Sequence, residues 1–323
     1  MILIIPAKPL DDAQTGGFSL FRSMLYEKPA LTFEKQIELL ESRGLRVTDK
    51  SRAANYLSNI SYYRLSAYML PLKVSGSDDF IDGTTFDEVL GLYLFDREFR
   101  LLIFDVIERI EVAFRTQMSY QLALDAGPFW FEDRNHFRDA DYWRQHLESL
   151  DIEVTRAREV FKDHFFAKYD EHERMPIWMT SEVLSLGLLS KIYRNLKMSD
   201  GKKRIARHFG IGSPRVLESW MQSISYVRNI CAHHSRLWNR ILTNRPSYFE
   251  RPSADWVRGN PDNEKVYYFM CCVLYMLRSV NPKARFVKHL QRLIERYPKI
   301  DLTAMGFPSD WSDDPFWIYD EVC

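Results

Sequence analysis

Ser225-Tyr-Val-Arg-Asn-Ile-Cys-Ala-His-His-Ser-Arg-Leu-Trp-Asn-Arg240 crowds three arginines, two histidines and two asparagines into sixteen residues that otherwise read as a helix. With Val216 to Arg240 on a wheel at about 100° per residue and Arg228 at zero, Val216, Trp220, Ile224, Val227, Ile230, Cys231, His234 and Trp238 fall between roughly 200° and 320°. That is the width of a buried helix face. Arg228, Asn229, His233, Arg236, Asn239 and Arg240 fall opposite, between about 0° and 140°. Solvation alone rarely needs a histidine beside so many hydrogen-bonding cations, so this face is expected to hold an anion. Upstream, Ser213-Pro214 supplies an N-cap and a first-turn proline for the same helix.

Working outward, the remaining chain also reads as helix. Thr32 is a plausible N-cap for a helix with Ile37, Leu39 and Leu40 on its apolar side, stopped at Gly44. A second helix, Ser51 to about Ile60, leads into Ser61-Tyr-Tyr-Arg-Leu-Ser-Ala-Tyr68; it forms either a recognition module or a plain two-helix cap. Phe86 to Leu124 carries a long helical pattern, two helices or one bent one. Residues 130–174 hold twelve acidic and eight Lys/Arg side chains and read as a solvated insertion with one long helix, about Tyr142 to Lys168. The next helix runs from Pro176 to about Leu196, and Lys202-Lys-Arg-Ile-Ala-Arg-His-Phe209 forms a short basic one stopped by Gly210. Two more follow, Asn263 to about Ser279 and Pro282 to Arg296. The fold class is therefore all-α. The expected organisation is an extended arm over 1–30, a helical module over 31–74, a main helical domain over 84–300 with its insertion at 130–174, and a tail over 301–323.

Composition sets limits. A chain of 323 residues with 46% hydrophobic and 27% charged side chains can bury a proper core, and disorder is not expected. Formal net charge is zero, so no global field argues for nucleic acid. The charge is uneven, however: Lys202 to Arg258 holds eleven Lys/Arg against Glu218, Glu250 and Asp255. Polyanion binding needs such a local footprint. Cys231, Cys271, Cys272 and Cys323 lack CxxC spacing and read as reduced, mostly buried thiols. Met1-Ile-Leu-Ile-Ile-Pro is too short for a signal peptide, and no run reaches the roughly 18 apolar residues of a membrane span, so a cytoplasmic location is expected.

Arg228-Asn-Ile-Cys-Ala-His233 resembles the R-x4-6-H signature of HEPN-superfamily ribonucleases. The longer string through Arg240 resembles the closing motif of the Abi-like (AbiD/AbiF) family, bacterial proteins tied to abortive infection by phage. Lys28-Pro…Gln36-Ile…Arg43-Gly-Leu, Tyr56-Leu to Tyr68, Leu92-Tyr-Leu-Phe-Asp96-Arg97 and Glu108-Arg-Ile-Glu-Val-Ala-Phe-Arg115 also resemble that family, so the resemblance runs from about Lys28 to Arg240. It implies a HEPN-type helical bundle that cuts RNA without a metal in anti-phage defence, with Arg228 and His233 catalytic and Asn229 supporting them.

The residue types suit that chemistry. RNA carries its own nucleophile, the 2′-hydroxyl. A histidine titrating near neutral pH suits the two proton transfers, and an arginine suits the phosphorane charge. Five residues apart on one helix, Arg228 and His233 sit about 140° apart and flank the polar face. One copy thus offers little for a two-proton reaction. Two copies facing across a two-fold axis would place two Arg/His sets around one phosphate, and HEPN ribonucleases resemble that arrangement; a homodimer is expected. Arg236 and Arg240 are expected to hold the RNA backbone, with Lys202, Lys203, Arg204 and Arg207 extending the basic surface.

His234, at about 240° on the wheel, is expected to be a buried supporting histidine provided the helix continues past it. Glu108, Glu111 and Arg115 form either a salt-bridged helix face or, through Glu108 or Arg115, partners that tune the site. Adjacent histidines on one helix cannot chelate one ion, and no phosphate-binding loop or G-x-S-x-G elbow is present, so neither metal nor cofactor is expected. A rival reading from another class is a non-catalytic protein that holds a regulatory or antitoxin-like RNA. A third is a scaffold whose Arg/His face is a salt-bridged seam.

Overall fold

The computed structural model describes residues 29–318 apart from 170, 251 and 253, so the expected arm over 1–30 falls almost entirely outside the described residues, as does Cys323. Among the described residues twelve α-helices run in chain order: α1 (Phe33–Ser42), α2 (Lys50–Ile60), α3 (Tyr62–Met69), α4 (Phe86–Ala126), α5 (Ala140–Arg156), α6 (Val160–Lys168), α7 (Ile177–Val183), α8 (Leu186–Asn195), α9 (Asp200–His208), α10 (Pro214–Ala232), α11 (Val266–Val280) and α12 (Phe286–Arg296). Among the described residues there are no strands, only three isolated bridges. The fold is all-α.

α4 is the axle. Its pattern leaves open two helices or one, and it forms one helix of 41 residues, about 60 Å long. A full capping box starts it, Thr85 accepting from the Glu88 N–H and Glu88 returning to the Thr85 N–H. Phe95, Phe99, Ile103, Ile107, Ile110, Phe114 and Met118 turn a continuous apolar face into the core. Helices α3, α7, α9, α10, α11 and α12 pack around it. α11 is buried from Val266 through Leu277. A helix apolar all round belongs at the centre of a protein this size. No helix among the described residues is long and apolar enough to cross a membrane.

Two expected helices are broken, each where a side chain from another helix satisfies the freed backbone. The expected helix over 142–168 ends at Arg156 and restarts at Val160. The Lys162 ammonium donates to the carbonyls of Val154 (3.2 Å) and Ala157 (2.6 Å), which terminates α5 without a glycine. The expected helix over 176–196 breaks at Leu184-Ser185. There Arg115 donates to the Leu184 carbonyl at 2.8 Å, and Ser185 donates its N–H and hydroxyl to Glu153 at 2.6 and 2.9 Å. Ser185 then caps α8.

The core thiols set an alkaline limit. Burial pushes Cys231 up to about 12 from an ordinary 9.0, and raises Cys271 and Cys272 as well. A group whose folded pKa is raised contributes stability that is complete below its unfolded value and is lost as pH climbs towards the folded one. Buried Lys202 acts oppositely: burial pulls it down to about 8, and its cost fades between there and 10.5. Three thiols oppose one lysine, so the urea midpoint at pH 10 is expected to lie below that at pH 8 under reducing conditions. An unchanged or higher midpoint would contradict this balance.

Candidate functional site

α10 forms as expected, with Ser213 and Pro214 at its start and Trp220, Ile224 and Val227 fully buried. It stops earlier than the wheel allows. His233 is the C-cap, His234 is left-handed at φ 56°, and the chain leaves the helix. The His234 N–H donates to the Cys231 carbonyl (3.1 Å) and the Ser235 N–H to the Ile230 carbonyl (2.9 Å). That is a complete Schellman ending, with histidine where glycine is usual. A β-carbon in this conformation costs about 1–2 kcal/mol, which the surrounding contacts must offset.

Those contacts come from α3 and α4. Arg64 donates to the His234 carbonyl at 2.6 Å, and Arg236 donates to the Ala67 carbonyl at 3.0 Å. Arg236 thereby supplies a cation at the carbonyl end of α3, which the helix dipole favours. Leu237 and Trp238 drop into the core. Their N–H groups both donate to the carboxylate of Asp96, at 3.1 and 2.6 Å. Asp96 is fully buried; it also accepts from the Tyr68 hydroxyl at 2.6 Å and pairs with Arg100, one turn further along α4. Burial pushes the Asp96 carboxyl up, while Arg100, Tyr68 and the two N–H groups pull against it. Three stretches far apart in sequence, 61–68, 92–100 and 225–240, are one hydrogen-bonded unit centred on this acid.

Arg228 faces α4 a turn below. Its Nε lies 3.9 Å from Glu111 Oε2 and its guanidinium 6.0 Å from the Phe104 ring centroid. The other Glu111 oxygen is taken by Arg115 at 2.9 Å. Arg228 Nε is buried without a hydrogen-bond partner, yet 38% of the side chain remains exposed. The guanidinium is thus oriented by a carboxylate and an aromatic face without being saturated by them.

The expected residues sort as follows. His233 and Asn229 are exposed near the end of α10, and Arg228 is partly so. His234 is exposed rather than buried, because the helix ends at Ala232, two residues before it. Arg236 and Arg240 are off the helix; Arg236 is largely buried and holds α3, and Arg240 donates to the Arg236 carbonyl at 2.9 Å. Glu108 is exposed, and the acid that reaches Arg228 is Glu111. Arg115 serves Glu111 and the Leu184 break. Lys202 has no exposure and is paired with Glu218 at 2.6 Å, so it lies off the surface where RNA contact was expected. Lys203 pairs with Asp200 at 3.1 Å and Arg204 with Asp125, while Arg207 is exposed.

Sequence reasoning overlooked Asp96 as a working residue. The signal was present: its helical neighbours Val89, Leu92, Phe99 and Ile103 are apolar, so a carboxylate stands on the core face of α4.

Fold and site together define an all-α protein in which an acid-braced helix terminus presents an arginine and a histidine. A family model for Abi-like proteins matches residues 55–239, more than half of the chain. The chain belongs to the Abi-like protein family. Searches of the curated proteins and of the solved structures each returned no match.

Proposed function

We propose that this protein is a HEPN-type, metal-independent endoribonuclease of the AbiD/AbiF kind, acting in the cytoplasm in abortive-infection defence. The observation that carries the reading is the end of α10. Arg228 is held by Glu111 and Phe104 with donors to spare, and His233 is exposed at the C-cap five residues on. Family membership is consistent with a defensive role.

In this reading the 2′-oxygen attacks the adjacent phosphorus while its proton passes to a histidine. The P–O5′ bond then breaks as the 5′-oxygen takes a proton, leaving a 2′,3′-cyclic phosphate and a 5′-hydroxyl. Arg228 offers its forked donors to the charge developing on the phosphorane. Two proton transfers on opposite sides of one phosphorus ask for two groups, and each chain supplies one His233 at this position. A homodimer with α10 of each copy facing the other across a two-fold axis meets that need.

The rival RNA-holding reading would use the same basic face and polar motif, from which buried Lys202 is removed while Lys203 and Arg204 remain in surface ion pairs. A 2′-O-methylated oligonucleotide separates the two. It is expected to bind about as well as RNA and to resist cleavage entirely. Cleavage of both substrates would contradict the 2′-hydroxyl mechanism.

A further inference from the structure

On α5 and α8, built from other elements than the α10 terminus, lies a cavity of about 390 Å³. Its wall includes Arg138, Asp139, Tyr142, His146, Lys191 and Arg194. This size is within the range of small-molecule sites, roughly 300–1,000 Å³.

The charges around it are arranged rather than scattered. Lys191 and Arg194 are exposed three residues apart on α8 and so share one helix face. Arg138 donates to Glu218 at 2.7 Å, but Glu218 is also neutralised by buried Lys202, so the trio keeps a net positive charge. The Asp139 carboxylate is occupied in capping α5, accepting the N–H groups of Asp141 and Tyr142 at 2.8 and 2.9 Å. Asn195 exchanges hydrogen bonds with the Asp139 backbone at 3.0 Å in both directions, fixing the floor between the two helices.

His146 completes the wall beside Tyr142. Only 8% exposed, it lines the cavity, and its Nδ1 has no hydrogen-bond partner. Tyr142, one turn back, is 58% exposed, and its ring lies 15° from parallel to the imidazole with centroids 6.4 Å apart. An exposed phenol ring in a wall that also carries Lys191 and Arg194 offers a face for a base beside cations for its phosphate.

We propose that this cavity binds a nucleoside phosphate, with the phosphate on Lys191 and Arg194 and the base against Tyr142. The same chemistry is offered by a free nucleotide or by the phosphorylated end of an RNA strand.

Calorimetric titration of the full chain with AMP, adenosine and inorganic phosphate tests it. AMP is expected to bind, with adenosine and phosphate each at least about tenfold weaker. Lys191→Ala with Arg194→Ala should weaken AMP by more than about tenfold with an unchanged thermal midpoint, since both side chains are exposed. Tyr142→Ala should weaken AMP and leave phosphate alone. A 5′-phosphorylated trinucleotide binding tighter than AMP assigns the site to strand ends, and the reverse assigns it to free nucleotides. Absence of AMP binding at millimolar concentration would overturn the proposal. So would binding that survives the double variant but is lost in Arg228→Ala.

Discussion

Replacing Asp96 with alanine is expected to cost about 3–5 kcal/mol of folding stability, the range for removing one member of a buried ion pair. The change strands Arg100 without its counter-charge and leaves the N–H groups of Leu237 and Trp238 and the Tyr68 hydroxyl without their acceptor. Each orphaned donor adds a desolvation cost of about 1–3 kcal/mol, so partial collapse or local opening of 235–240 is the expected response. Tyr68→Phe removes one donor and keeps the packing, and should cost about 1 kcal/mol. Urea denaturation of the three proteins measures the series. A loss below about 1 kcal/mol for the alanine variant would mean that the acid does not organise the segment after α10. Because that segment fixes the exit from the helix at His233, the same variant should lose function even where it remains folded.

His233→Ala is expected to reduce RNA cleavage by about 10²–10⁴-fold, the usual contribution of a positioned proton-transfer group. The fold should be unaffected, since His233 is exposed and its structural duty is carried by its backbone N–H, which donates to the Asn229 carbonyl at 2.9 Å. Arg228→Ala should fall by about 10²–10³-fold, and Arg228→Lys should recover little, because a point charge does not replace a planar fork held between a carboxylate and a ring. The thermal midpoints of the His233 variant and wild type should agree. A variant that cleaves normally would remove His233 from the reaction.

The sequence made the helical content plain wherever apolar spacing was continuous, as after Pro214 and along 86–124, although Ser213 starts α10 without a side-chain capping bond. The stops were less legible, for physical reasons. α10 ends on a Schellman turn whose left-handed residue is His234, held by Arg64 from α3, and nothing local in His-His-Ser announces it. The breaks after Arg156 and Val183 exist because Lys162 and Arg115 reach the freed carbonyls, and such partners appear only when the helices are packed. Arg228 and His233 stood out by type and spacing. Which acid would serve Arg228 depended on the rotation of α4 against α10, and that rotation selects Glu111 over Glu108, three residues away. Within the basic cluster Lys202 misled, because charge in sequence does not report pairing: it is spent on Glu218 inside the protein.

The most direct test of the central claim is incubation of purified wild-type and His233→Ala protein with labelled RNA in excess EDTA, followed by analysis of the ends. The account predicts cleavage by wild type alone, leaving 2′,3′-cyclic phosphate and 5′-hydroxyl termini. Cleavage that stops on chelation, or equal cleavage by the two proteins, would contradict it.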